Sequence, residues 1–234
     1  MHTERRSRLP GAQLWSQPAG AAHEGLVLPD GCVDLLWRTG PHGGELLVAG
    51  PDTTAHAVST PAGTAWTGLR LPPGAAPALL GVPASALRDA RVPLAELWPA
   101  ARVRVLGERV AAAADTGRAL EAVLAERAAG LGAAAADPLP RRAAALLGRG
   151  HPVADVADRL GVGVRRLHRL SLAAFGYGPK VLARVLRLQA ALRAARTGLP
   201  AAEVAALAGY ADQQHLAREV RALTGTTLTR LLRG

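Results

Sequence analysis

One cysteine, Cys32, is all that the sequence contains, so no internal disulfide can form and the chain fits a reducing compartment. Aromatic residues amount to 3%. No run of 18 apolar residues occurs, and the charged opening MHTERRSRLPGAQ lacks the apolar stretch that a secretory leader needs. Neither a membrane span nor export is expected, and the cytoplasm is the expected location. Lysine is scarce as well: Lys180 stands alone among many arginines, a bias that looks like the product of a GC-rich bacterial genome. Apolar residues nonetheless reach 49% of the 234, ample for two modest globular domains.

Acidic residues are few toward the end of the chain. Residues 141–234 hold 16 Arg and Lys against 5 Asp and Glu, a net of +11, while residues 1–140 hold 12 against 13. The whole positive excess therefore lies in the last part. Such asymmetry points to a polyanion-binding module joined to a near-neutral domain with another task.

Between residues 24 and 72, short apolar runs such as CVDLLW, ELLVAG and GLRL alternate with Pro and Gly punctuation. About five strands with tight turns are expected there. From Ala84 onward the spacing turns helical, and GLGAAAADPLPRR (130–142) reads as a connection. The expected class is α+β: a β-rich sensory or dimerisation domain closed by helices over 1–132, then an all-α domain over 133–234.

That second part contains an internal repeat. VADVADRLGV (153–162) matches AAEVAALAGY (201–210) at an offset of 48; beyond the turn, Leu167, Arg169 and Gly176 match Leu216, Arg218 and Gly225 at an offset of 49. Each copy reads as a short helix, a glycine turn, and a second helix ending at another glycine. Between them PKVLARVLRLQAALRAAR (179–196) contains no breaker after its first Pro. Eighteen residues make a rod of roughly 27 Å at 1.5 Å per residue, suited to hold two helix-turn-helix units about one DNA turn apart.

In the second copy Leu216, Val220 and Leu223 form the inner stripe, Asp212 is placed as N-cap, and Gln213, Gln214, Ala217, Arg218 and Arg221 face out. In the first, Leu167, Leu170 and Ala174 are inner, while Arg165, Arg166, His168 and Arg169 are outer. Gln pairs two hydrogen bonds with adenine and Arg does the same with guanine, so these side chains suit base edges in a major groove. Arg165, His168 and Arg169 share one face and suit bases; Arg166 suits a phosphate.

The paired helix-turn-helix, the long connecting helix, LHR (167–169), LAR (216–218) and FGYGP (175–179) together resemble the AraC/XylS family of transcription regulators over roughly residues 139–233. The resemblance implies an all-α domain whose two recognition helices enter successive major grooves of double-stranded DNA. It implies base contacts at Arg165, His168 and Arg169, and at Gln213, Gln214 and Arg218. It also implies RNA polymerase as a partner if the protein activates. The sequence departs from the family where Ser171 and Val220 replace a large aromatic and Leu228 replaces a proline, which implies altered packing under the recognition helices.

PDGCVDLLW, AGPDTTAH and GLRLPPGAAPALLGVP resemble the cupin-like N-terminal domain of unknown function that precedes such modules. A β-rich cupin-like barrel is implied, over about residues 9–100. By strand periodicity Cys32, Asp34 and Leu36 share one face and Val33, Leu35 and Trp37 the other. Cys32, Asp34, Trp37, His56 and Trp66 are the candidate ligand pocket for a small-molecule effector, with Trp37, Trp66 and Trp98 as possible walls or simply core. His23, His42 and His56 are widely separated, without the His-x-His pair that a metal cupin requires; no metal, cofactor or catalytic residue is expected. For Cys32 two readings stand: a small buried hydrophobe, or a reactive thiol marking a redox- or alkylation-responsive regulator or self-modifying repair protein. A first domain that serves only to form a homodimer is a further alternative.

Overall fold

A computed structural model describes residues 3–41, 43–132 and 137–233. Among the described residues eight strands lie within the first 93: β1 (Thr3–Arg6), β2 (Gln13–Gln17), β3 (His23–Val27), β4 (Val33–Gly40), β5 (Gly43–Ala49), β6 (His56–Thr60), β7 (Ala65–Leu71) and β8 (Arg91–Pro93). Six make one antiparallel sheet in the order β1-β2-β7-β4-β5-β8, and β3 pairs with β6. Strands β1, β2 and β8 lie outside the 24–72 window read from sequence. β1 (TERR) is exposed throughout, so it carries no apolar period to be read.

One face of the main sheet is core. Leu14, Val33, Leu35, Trp37, Leu46, Val48, Leu69 and Leu71 pack with Leu106 and Val110 of α2 (Ala100–Ala111) and with Leu120, Val123 and Leu124 of α3 (Thr116–Leu131). Each fully buried Leu contributes about 1.5–3 kcal/mol. The alternation read in CVDLLW is realised: Val33, Leu35 and Trp37 enter this core, while Asp34 faces the other way beside Arg70. A short helix, α1 (Ala76–Leu80), closes one side.

The remainder is helical: α4 (Leu139–Gly148), α5 (Val153–Arg159), α6 (Val164–Phe175), α7 (Pro179–Arg196), α8 (Ala201–Leu207), α9 (Gln213–Thr224) and α10 (Leu228–Arg233). The class is therefore α+β, as expected. The two halves of α7 serve different cores. Leu182 and Val185 pack with α4, α5 and α6, whereas Leu188, Ala191, Leu192 and Ala195 pack with α8 and α9. The expected boundary after residue 132 falls on residues 133–136, and these and His42 lie outside the described residues.

The N-terminal part meets the helices through the end of the sheet where β4 begins and β5 and β7 finish. Gly31 (φ +81) fits there because a Cβ would meet the Leu182 side chain at 3.2 Å and Pro73 at 3.3 Å. Nearby the Gln189 side-chain amide donates to the Pro29 carbonyl at 2.8 Å.

Candidate nucleic-acid interface

The repeat becomes two matched helix pairs. α5 and α8 are 7-residue helices preceded by Pro152 and Pro200, and α6 and α9 are 12-residue helices ended by left-handed Gly176 and Gly225. Their starts differ. The Asp212 carboxylate caps α9 by accepting from the His215 N–H at 2.6 Å, whereas Gly163 gives α6 no side-chain cap.

Beneath α9 the stripe Leu216, Val220 and Leu223 is buried as read. Beneath α6 the reading needs one correction: Ser171 and Phe175 join Leu167 and Ala174 inside, while Leu170 is only half-buried. A helix turns about 100° per residue, and Leu170 lies on the flank that faces the N-terminal part. Ser171 and Val220, which stand where the resemblance implies a large aromatic, are both fully enclosed.

Arg165, Arg166, His168 and Arg169 on α6, and Gln213, Gln214, Arg218 and Arg221 on α9, are all exposed. No ion pair among the described residues engages these arginines. His168 differs from its neighbours, since its ring is laid against the Gly178 backbone, where a Cβ would come within 3.0 Å of Nε2. His215, also polar in sequence, is taken up locally: Nδ1 accepts from the Ala211 N–H at 3.3 Å, and the ring meets Tyr210 edge-on at 5.3 Å between centroids. Behind α9, Arg184 of α7 pairs with Glu219 at 2.8 Å and Arg187 stacks over Tyr210 at 5.5 Å. The hydrogen bond from Arg184 holds the Glu219 carboxyl below its ordinary range, and burial pushes the Tyr210 phenol up to about 12.

The residues read as a ligand pocket do not converge. Trp37 is in the core, and Trp98, also core, donates its indole N–H to the Leu80 carbonyl at 3.0 Å. Trp66 is half-buried beneath the Arg38 guanidinium at 6.0 Å, and His56 is exposed opposite Val27. Cys32 and Asp34 belong instead to a polar cluster in which Arg70 contacts Asp30 and Asp34 at 3.3 Å each and Trp15 Nε1 donates to Asp34 at 3.2 Å. Burial raises the Cys32 thiol well above its ordinary range, and the neighbouring Asp30 and Asp34 carboxylates raise it further. Burial likewise raises Asp34, against the opposing charge of Arg70.

A different cleft, about 560 Å³, lies between the two parts of the chain. Leu9, Leu71, Pro77 and Leu79 wall it on one side; Pro140, Leu170 and Ala173 wall it on the other, with Arg141 and Asp137 among the lining residues. Neither this cleft nor the hollow beside β1, β2 and the start of α3 is lined by Cys32, Asp34, Trp37, His56 or Trp66. Its walls come from segments distant in sequence, so no local pattern announced it, and Leu170, read as part of the inner stripe of α6, lines it instead.

Comparison with known proteins places these features. Residues 156–234 match a helix-turn-helix domain family, and residues 12–93 match a domain of unknown function, DUF6597. Among curated proteins none matches. Of solved structures, the C-terminal domain of AraT, a response regulator from Geobacillus stearothermophilus, is 22% identical with a TM-score of 0.39, covering 42% of this chain and 85% of that one. A probable AraC family transcriptional regulator from Rhodopseudomonas palustris is 19% identical with a TM-score of 0.36, covering 42% and 96%. ToxT from Vibrio cholerae is 9% identical with a TM-score of 0.50 over 99% of this chain and 98% of its own. Another ToxT structure, equally similar, is bound to a methylnaphthyl-butenoic acid. The whole-length likeness to ToxT is one of fold.

Proposed function

We propose that the chain, which joins a DUF6597 domain to an AraC-type helix-turn-helix domain, is a DNA-binding transcription regulator whose α6 and α9 read successive major grooves on one face of the duplex. The observation that carries this reading is the repeat itself. Two helices of equal length, ended alike, present exposed guanidinium and amide groups from equivalent positions. A merely soluble surface needs no such correspondence. Arg165, His168 and Arg169 then address one set of base edges and Gln213, Gln214 and Arg218 the other, with Arg166 and Arg221 on phosphates.

The same reading includes a small-molecule effector acting through the N-terminal domain inside the cell. The interdomain cleft suits it better than Cys32, Asp34, Trp37, His56 and Trp66, because its volume is that of a ligand site and one wall is α6. The acid bound by ToxT lends support of the same kind.

Selection of bound duplexes from a randomised library tests the reading of DNA. Arg169→Ala and Arg218→Ala should each relax preference at a separate group of base pairs, the groups lying about one helical turn apart, at a cost of roughly 1–3 kcal/mol of discrimination each. Variants that bind less tightly but keep the full preference would show that these side chains meet phosphates only. For the effector, Ala173→Trp, which fills the cleft, should abolish any ligand response while sparing recognition by α9. A response that survives it puts the ligand elsewhere.

A further inference from the structure

The β5–β6 connection, Gly50 to Ala55, touches the C-terminal ends of both α6 and α9. At α9, the Ala55 N–H donates to the Leu223 carbonyl at 2.7 Å. The last four carbonyls of a helix lack intrahelical partners, so an orphan acceptor of α9 is satisfied from the other domain. At α6, the capping residue Gly176 (φ +82) lies so close that a Cβ would meet Pro51 at 2.8 Å and the Ala84 carbonyl oxygen at 3.1 Å.

This connection is itself stitched down. Both oxygens of the Asp52 carboxylate, only 7% exposed, accept from Arg91. The Thr53 N–H and hydroxyl donate to Asp89 at 2.7 and 3.0 Å, and Asp89 adopts a left-handed φ of 56 to reach them. Backbone bonds Gly50 N–H to Ala90 O and Asp89 N–H to Pro51 O, at 2.9 and 3.1 Å, fix the remainder. Gly50 has no room for a side chain, because a Cβ would run into the Leu87 carbonyl.

Among the described residues the two helix-turn-helix units have separate hydrophobic cores joined by the rod α7, with Leu28 of the N-terminal part packed against the second. A single rod fixes their distance along its axis but resists bending and twisting weakly. Pro51 and Ala55 are four steps apart along the chain, a reach of at most about 14 Å at 3.3–3.6 Å per residue. We propose that the Gly50–Ala55 loop is a positioning strap that sets the separation and tilt of α6 and α9, and with them the spacing between the two groups of base pairs that the protein accepts. The strap rests on the reading of α6 and α9 as recognition helices, and it adds that a loop remote from the DNA-facing side chains decides operator geometry.

The test uses the full chain and its own selected duplex, rebuilt with one or two base pairs inserted or deleted between the two groups. Wild-type affinity should fall about 10-fold or more per inserted pair, since each moves one group by roughly 3.4 Å and about 35° around the duplex. Ala55→Pro, which removes the donor, and a Gly-Gly insertion between Thr53 and Thr54, which keeps both anchors but slackens the strap, should flatten that penalty to within about 3-fold, leaving single-group affinity unchanged. Thermal melts identify a variant that fails to fold; the glycine insertion, outside the core, decides if Ala55→Pro does. Folded variants that retain the wild-type spacing penalty overturn the strap alone. A wild-type protein that specifies only one group of base pairs overturns the two-helix reading and the strap with it.

Discussion

At the scale of single residues, Cys32 illustrates how surroundings set chemistry. Its thiol is raised by burial and by two carboxylates, so at neutral pH it stays protonated and weakly nucleophilic. Cys32→Ser should alter stability by at most about 1–2 kcal/mol and leave DNA binding and ligand response intact. Stoichiometric alkylation of the native protein at neutral pH, or loss of regulation in a folded serine variant, would favour the thiol-sensor reading instead. Asp212 works in the opposite sense, as a charge placed where a helix wants one. Asp212→Ala removes the cap from α9 and should cost about 0.5–2 kcal/mol in a denaturant melt, with weaker binding at the base pairs that α9 reads. An unchanged melt would mean that water satisfies the helix start equally well.

At the scale of elements, α9 is tied to the rod α7 by the Arg184–Glu219 pair. Glu219 has its folded pKa depressed below the ordinary 4.5 by the hydrogen bond from Arg184. The stability that it contributes is therefore present above about pH 4.5 and lost as pH falls through the lower, folded value. Arg184 is well exposed, so the pair is worth at most about 1 kcal/mol. Glu219→Gln should melt earlier than wild type at pH 7, and the gap should close in acid. A deficit that stays constant down to pH 3 would assign the effect to packing rather than charge.

At the scale of the whole molecule, the net charge of +10 comes from the helical half. Binding releases counterions in proportion to the phosphates neutralised, so log affinity should fall steeply and linearly with log salt concentration. Arg166→Ala and Arg221→Ala should each flatten that slope by about one while leaving sequence preference alone. Full-chain titrations between low and physiological salt supply the measurement; binding indifferent to salt would remove electrostatics from the account. Among the described residues no helix is long and apolar enough to cross a membrane.

Whatever depends on neighbours in the chain is legible in the sequence. The repeat placed both helix pairs, the glycines at 176 and 225 marked where α6 and α9 end, Asp212 declared itself a cap, and the spacing of Leu216, Val220 and Leu223 fixed which side of α9 is buried. All of these follow from helical periodicity and local backbone sterics. Tertiary structure alone decided what depends on distant segments meeting. It made β1, whose residues are polar on both faces, a strand by pairing it with β2. It also placed Trp37 and Trp66 on opposite faces of the sheet and drew Leu170 into the wall of a cleft. Ala55 was set against Leu223 in the same way. No local pattern encodes such contacts, because their energy is realised only once the sheet and both helical units are assembled.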